Sequence, residues 1–329
     1  MVEKLLEIVR EGRIFLQTHN YPDPDAIASA FGLQQLFTHF GVQSTICYVG
    51  AAERASVHTA VQEFGITIVP YSEELGMAEE DKIVLVDGQK NNANMTDLPG
   101  DEVACIDHHP VYHEIAYAYS DLRLVGACSS IIAEYYEKLK LPMTSEVATM
   151  LLYGLQVDTG YMTRGVTDLD LEMFPVLYRR ADHKRLELIA SRNLEFADLK
   201  AFGAAINNIK IFGKAGFVHI PFACPDALIA QVADFVLSLA EVDIAVISSS
   251  RQNGLKFSVR SVLSQVHAGN LLAGTLPPYG NGGGHARMAA GFITRKNIKE
   301  SGMSSGQLLS LLHQSMLGYI RKHLGSTGT

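Results

Sequence analysis

Short apolar runs separated by helix-like periodicity organise the first half of the chain. RIFLQT (13–18) reads as a strand, and residues 26–40 follow with Ile27, Ala30, Phe31, Leu33 and Phe37 near helical spacing. STICYV (44–49), ITIV (66–69), KIVLV (82–86) and EVACI (102–106) read as further strands. Helices are expected around 54–64, 128–140 and 145–157, and the acidic stretch 73–82 as a solvated helical face. The polar run NNANMTDLPG reads as a loop between two strands. Alternation of this kind predicts an α/β fold with a doubly wound, mostly parallel sheet.

The pattern changes beyond residue 168. Residues 168–209 are helical in period and more charged, with RRADHKR in their middle, and read as a link between domains. IKIFGKAGFVHIP then suggests two strands across a glycine turn. A helix near 225–239, two strands in VDIAVISSS and LKFSVRSV, a glycine-rich stretch YGNGGGHARMAAGF and a helix near 305–323 follow. The tail GSTGT reads as loose. Two domains are expected, 1–185 and a smaller α/β domain at 212–325, joined by a helical connector at 186–211.

Composition narrows the partners. The 329 residues are 47% hydrophobic, enough for two cores. A formal net charge of −8 argues against sequence-independent binding to a nucleic-acid backbone, which needs a basic face. A small anionic substrate remains open if metal ions or local cations neutralise it. Cys47, Cys105, Cys128 and Cys224 form no CxxC pair and read as buried, reduced thiols of a cytosolic protein. MVEKLLEIVREGRIF reads as an amphipathic helix leading into a strand and not as a signal peptide. No apolar run reaches membrane-spanning length. A cytoplasmic location without a membrane partner is expected.

The candidate chemistry sits where strands end. RIFLQT runs into His19, Asn20, Asp23 and Asp25; KIVLV runs into Asp87; EVACI runs into Asp107, His108 and His109. Asp158, in GLQVDTG, closes a helix. Ligands of open parallel sheets bind outside the carboxyl ends of the strands, so these segments deliver acids and imidazoles to one edge. Left alone, the acids would repel one another and their pKa values would rise. Divalent cations resolve this, and mixed His and Asp ligation favours Mn²⁺ over Mg²⁺. Pro22 and Pro24 bias their neighbours to extended backbone, so Asp23 and Asp25 can diverge toward two ions. Asp25 reads equally as the cap of a helix starting near Ala26, and Asp107 as a group that orients a neighbour.

Taken together, HNYPDPD, VDGQ, DHH and GLQVDTG resemble the DHH phosphoesterase superfamily. FSVRS and GNGGGHARMAAGF resemble its DHH-associated domain of the first type, whose hallmark is GGGH. The resemblance covers nearly the whole chain in the right order. Length and layout resemble the nanoRNase/pAp-phosphatase branch more than RecJ-type exonucleases or family II pyrophosphatases. Pro24 stands where the family usually has Gly, and Ala28 with Ser29 where it often has Gly-Ser. Those departures imply intact metal binding and an altered pocket near Pro24.

The resemblance implies site roles residue by residue. His19, Asp23 and Asp87 would hold a first ion; Asp25, Asp87, His108 and Asp158 a second, with Asp87 bridging. Asp107 would be a buried support, and His109 would face the phosphate and donate a proton to the leaving group. The cofactor would be two Mn²⁺ ions, with Mg²⁺ or Co²⁺ as substitutes, sharing a hydroxide that attacks phosphorus in line. Gly282, Gly283 and Gly284 would present backbone N–H groups to phosphate, joined by His285, Arg260 and Ser261. Substrate would lie between the domains. The expected substrate is a short single-stranded RNA or a small nucleotide such as 3′-phosphoadenosine 5′-phosphate, not a long duplex; a homodimer is the expected assembly. Hydrolysis of a cyclic or linear dinucleotide, of pyrophosphate or polyphosphate, or an inactive nucleotide sensor are the alternatives. A dinucleotide-dependent dehydrogenase needs GxGxxG after the first strand, where THNYPDPD stands instead.

Overall fold

The computed structural model describes residues 2–50, 55–92, 94–192 and 194–324. The tail 325–329 and residue 54, the expected first residue of a helix, lie outside the described residues. The chain divides into two compact units at 194/195.

In chain order the first unit contains α1 (Val2–Ile8), β1 (Ile14–Thr18), α2 (Pro24–His39), β2 (Ser44–Tyr48), α3 (Ala55–Phe64), β3 (Ile68–Pro70), β4 (Lys82–Val86), β5 (Asp101–Asp107) and β6 (Tyr119–Leu122). Four helices follow: α4 (Cys128–Leu139), α5 (Ser145–Asp158), α6 (Asp168–Arg180) and α7 (His183–Ser191). The six strands form one parallel sheet in the order β3-β2-β1-β4-β5-β6. Its strand order reverses between β1 and β4, the switch point where such sheets bind ligands.

Alternation along the strands sorts side chains onto two faces. Ile14, Leu16, Val84, Val86, Ala104 and Ile106 join the core built with the helices. Phe15, Cys47, Ile83, Leu85 and Cys105 face the other way, under Leu98, Met95, Tyr71 and Tyr117. That second face is covered by irregular segments, because the crossovers from β4 to β5 and from β5 to β6 carry no helix among the described residues.

Several expectations change here. The stretch 73–82 is not a helical face. Only Glu73–Leu75 makes a 3₁₀ turn, and Asp81 is buried, accepting the N–H of Ala78 at 2.9 Å. Strand β6 escaped the pattern because its four residues, YSDL, are half polar. The helical connector at 186–211 does not exist as a separate element. Met173, Leu177, Leu186 and Ile189 of α6 and α7 pack into the first core, so the expected boundary at 185 falls inside α7.

The second unit contains α8 (Leu199–Asn208), β7 (Lys210–Phe212), β8 (Ala215–Ile220), α9 (Asp226–Leu237), β9 (Ile244–Arg251), β10 (Gly254–Ser261), α10 (Ala268–Thr275), β11 (Asn281–Gly284), β12 (Met288–Thr294), α11 (Arg295–Glu300) and α12 (Ser305–Leu324). Its sheet runs β11-β12-β10-β9-β8-β7, with β8 and β9 parallel and the other pairs antiparallel. Val218, Ile220, Ala245 and Ile247 pack with Ala201 and Ala205 of α8 and with α9. Phe217, Val246, Phe257 and Val259 pack with α10 and α12. The glycine-rich stretch is mostly strand: Gly282, Gly283 and Gly284 pair with Gly291, Ala290 and Ala289.

All four cysteines are buried and free. Among the described residues no helix is long and apolar enough to cross a membrane.

Candidate metal centre

Three strand ends and two helix ends build the centre. His19 follows β1 directly. Asp23 caps α2, its Oδ1 accepting the N–H groups of Asp25 and Ala26 at 3.1 Å each. The cap is therefore Asp23 and not Asp25. Pro24 is buried at the first helical position, where its missing N–H is no loss. Asp87 follows β4 in a left-handed conformation, φ 59°, while its N–H donates to the Ile106 carbonyl at 2.9 Å. A non-glycine residue held there marks a position fixed by its surroundings. Asp107 ends β5, and Asp158 is the last residue of α5.

The side chains converge. His19 Nε2 lies 3.8 Å from Asp23 Oδ1 and 3.7 Å from Asp87 Oδ2. His108 Nε2 lies 3.3 Å from Asp87 Oδ1 and 3.2 Å from Asp158 Oδ2. Three groups of ligand atoms, each within 4.8 Å of one another, result: His19–Asp23–Asp87, Asp25–His108–Asp158, and Asp87–Asp107–His108–His109. Asp87 and His108 each belong to two of them. The six expected metal ligands thus gather at one place.

A second layer orients them. His108 Nδ1 meets the Val125 carbonyl at 3.0 Å and His19 Nδ1 the Asn20 carbonyl at 2.9 Å, which turns both Nε2 atoms inward. His109 Nδ1 meets Asp107 Oδ1 at 2.9 Å, and Gln89 Nε2 donates to Asp107 Oδ2 at 2.7 Å. Asp107, fully buried, therefore supports His109. Asp25 Oδ2 accepts the Cys128 N–H at 2.7 Å; its Oδ1 accepts the Ser129 N–H at 3.0 Å and the Ser129 hydroxyl. The start of α4 thus fixes Asp25. Gly154 of α5 makes room, since a Cβ there would stand 2.8 Å from Asp25 Oδ1 and 2.4 Å from Ser129 Oγ. Gly88 does the same beside His19: a Cβ would lie 3.3 Å from His19 Cβ and 2.5 Å from Met95 Cε.

Gln89, Ser129 and Gly154 were not singled out as site residues in the sequence. Their signals were present but ambiguous: a glutamine inside VDGQ, a serine near a helix start, and a glycine in a helical run.

The electrostatics match crowded acids with too little positive charge. Burial pushes the Asp25 carboxyl well up, with the charges of Asp87 and Asp158 adding to it. Asp158 rises to about 6 through burial and Asp23. His19 rises to about 9: burial opposes its charge, but the hydrogen bond and charge of Asp23 and the charge of Asp87 outweigh it. His108 also rises well, burial being overcome by Asp87 and Asp158. Asp87 Oδ1 and His108 Nε2 are buried and have no hydrogen-bond partner. A carboxylate oxygen and an imidazole nitrogen left in that way fit cation ligation, and the mixed nitrogen and oxygen set suits Mn²⁺.

The substrate residues expected in the second unit fall into distinct environments. Arg260 is ion-paired, Nε to Asp234 Oδ1 at 2.7 Å, so its guanidinium is already held. Ser261 is buried and its hydroxyl accepts the Leu263 N–H at 3.2 Å, closing a turn; the structure gives it a structural task and no exposed hydroxyl. The glycines are not a flexible loop. Gly282 and Gly284 are needed for packing, because Cβ atoms would reach Leu272 Cβ at 2.8 Å and the Met288 carbonyl at 2.5 Å. Of the three, only Gly283 could carry a Cβ that meets nothing within 4 Å, which leaves its backbone open to approach. His285 is exposed, in the short link between β11 and β12.

A parallel sheet with an acid and imidazole cluster at its switch point, joined to a second mixed-sheet unit, defines a two-domain α/β protein whose cluster could hold a metal ion. The DHH family N-terminal domain matches residues 13–155 and the DHHA1 domain residues 214–301. The chain belongs to the DHH family.

Relatives are distant. An uncharacterized protein of Methanocaldococcus jannaschii is 26% identical over 86% of this chain and 58% of its own length. A probable manganese-dependent inorganic pyrophosphatase of Streptococcus suis is 26% identical over 72% of this chain and 77% of its own. The chain thus spans less than two thirds of the first of these relatives. The crystal structure of an exopolyphosphatase-related protein from Bacteroides fragilis shares the fold, with a TM-score of 0.77 at 18% identity, covering 97% of this chain and 95% of that one.

Proposed function

We propose that this protein is a manganese-dependent phosphoesterase acting on short oligoribonucleotides or small nucleotides such as 3′-phosphoadenosine 5′-phosphate. Asp87 carries the reading. One oxygen, Oδ2, faces His19 at 3.7 Å, and the other, Oδ1, faces His108 at 3.3 Å. Such a carboxylate is placed to serve two ions, one with His19 and Asp23 and one with Asp25, His108 and Asp158. Divalent ions held there would neutralise phosphate oxygens and acidify a water.

The chain's own groups do the rest. Asp107 and Gln89 fix His109, whose imidazole is 36% exposed and can hold a proton for a leaving oxygen. Asp25 is locked by the start of α4, so its distance to His108 and Asp158 does not depend on a mobile side chain. The open backbone at Gly283 suits the close approach of a phosphate or ribose. In this reading the GGGH stretch, by its resemblance to the DHH-associated domain of the first type, favours a nucleotide-like substrate over pyrophosphate.

The test is a substrate panel with Mn²⁺: 3′-phosphoadenosine 5′-phosphate, a short RNA, linear pApA, cyclic di-AMP and pyrophosphate, with Asp87→Asn as control. Release of phosphate or mononucleotides from the first two, absent in the variant, is expected. Hydrolysis of pyrophosphate alone would overturn the substrate class, and equal turnover by Asp87→Asn would overturn the centre.

A further inference from the structure

Asp170 lies in the first turn of α6 and is fully buried. A buried carboxylate is costly unless donors surround it. Its Oδ2 accepts the Thr167 N–H and the Thr167 hydroxyl at 2.7 Å each, and the Gly126 N–H at 2.8 Å; its Oδ1 accepts the Ser130 hydroxyl at 2.6 Å. The bonds to Thr167 belong to the start of the helix itself, where a side chain at the third position reaches back to the cap. The other two reach 44 and 40 residues back along the chain, to the turn that leads into α4.

That turn backs the metal centre. Between Gly126 and Ser130, the two points that Asp170 grips, the N–H groups of Cys128 and Ser129 bind the two oxygens of Asp25. Just before Gly126, the Val125 carbonyl meets His108 Nδ1 at 3.0 Å and leaves Nε2 aimed at Asp87 and Asp158. In the Asp25–His108–Asp158 group, two of the three side chains thus take their aim from residues 125–130. The fit is close: a Cβ at Gly126 would lie 2.5 Å from Asp170 Oδ2 and 2.7 Å from Cγ2 of Thr159, the neighbour of Asp158. Any side chain there would push the turn off the carboxylate. The His19–Asp23–Asp87 group does not lean on this turn. Asp23 is bound by the N–H groups of Asp25 and Ala26, and His19 Nδ1 meets the Asn20 carbonyl.

We propose that Asp170 is a positioning residue for one half of the metal centre. Through the 125–130 turn it sets Asp25 and His108 against Asp158, and so governs affinity for the ion that those three would hold. The inference rests on the paired-ion reading above. The position calls for acceptors more than for charge. In Asp170→Asn an amide oxygen in the place of Oδ2 keeps three donors, and the NH₂ group donates to the Ser130 hydroxyl, which accepts as well as donates. In Asp170→Ala all four bonds are lost.

The test is a Mn²⁺ titration of the full chain, with free ion measured by electron paramagnetic resonance. The parent is expected to bind in two steps, and His19→Ala identifies the step of the His19–Asp23–Asp87 group by weakening it. Asp170→Ala should weaken the other step about ten- to a hundredfold, the usual loss when a partner that orients a ligand is removed, and spare the first. Asp170→Asn should restore most of that affinity. Ser130→Ala keeps the helix cap and should show the same selective loss at smaller size; it carries the test if Asp170→Ala does not fold. Thr167→Val removes the cap hydroxyl but neither tie to the turn, so it should lower the melting temperature and leave both steps unchanged. Unchanged affinity in Asp170→Ala and Ser130→Ala would overturn the positioning role. So would equal weakening of both steps, or Thr167→Val matching Ser130→Ala, either of which would make Asp170 a helix cap alone. A parent that does not bind in two steps would overturn the paired-ion reading and this inference with it.

Discussion

His108 Nε2 and Asp87 Oδ1 stand 3.3 Å apart, both buried, and neither has a hydrogen-bond partner. In the metal-free protein the His108 imidazole, raised above its ordinary pKa despite burial, turns its proton toward that carboxylate, and a divalent cation would take the proton's place. Disturbing either atom should therefore be felt at the whole centre.

Asp87→Asn keeps the shape of the side chain and tolerates the left-handed backbone at φ 59°. It removes a negative charge from a site holding Asp23, Asp25 and Asp158. Turnover should fall by at least about a hundredfold, because both groups of ligands share this residue. Thermal unfolding of the metal-free variant should occur below the parent's temperature, since the buried imidazoles of His19 and His108 lose the carboxylate that favours their protonated forms. Bound manganese per chain, measured by elemental analysis, should drop toward zero.

Gly154→Ala would ordinarily stabilise a helix by about 1 kcal/mol. Here the new methyl would meet Ser129 Oγ at 2.4 Å and Asp25 Oδ1 at 2.8 Å. Overpacking should reverse the sign, costing about 1–3 kcal/mol, and should also displace Asp25. Denaturant unfolding and Mn²⁺ titration of the same variant check both parts. A stabilised variant with unchanged affinity would show that the glycine is incidental.

Protons compete with metal at this centre. In the metal-free protein His19 titrates at about 9, above its ordinary 6.5, and Asp158 at about 6, above 3.8. A raised folded-state pKa stabilises the fold below the unfolded value and loses that contribution as pH rises through the folded one. The metal-free fold therefore loses these contributions first near pH 6 and then near pH 9. Manganese affinity, and the rise in melting temperature it produces, should grow over the same interval. Calorimetry in buffers of different ionisation enthalpy should register proton release on binding; affinity that falls as pH rises would contradict the assignment.

The second unit should respond in the opposite direction. Burial depresses His313 to about 4, so the folded form binds fewer protons than the unfolded chain between pH 6.5 and 4. Stability is present above pH 6.5 and lost as pH falls through that window. His313→Leu should flatten the acid limb of the stability profile, measured by hydrogen exchange in α12. An unchanged limb would place the sensitivity elsewhere.

Much of this was legible in the sequence. The strands RIFLQT, STICYV and KIVLV are short apolar runs with polar ends, and β1, β2 and β4 fall within a residue of those spans. The acids and imidazoles at strand ends were visible too, because a chain leaving a parallel strand emerges at one sheet edge. Local pattern and turn chemistry fix those features, and they act over a few residues.

Tertiary structure decided what local pattern could not. It chose Asp23 over Asp25 as the cap, because Asp25 is claimed by the start of α4, about a hundred residues away. It turned GGG into a paired edge strand, since β12 supplies the ladder that glycines do not specify by themselves. It drew α6 and α7 into the first core, because Leu177 and Ile189 find apolar partners there. Asn207, His219 and His313 have no motif in common; only the packing of α8, the sheet and α12 brings them to one cavity. Sequence fixes which groups a strand end presents, while long-range packing fixes which of them meet.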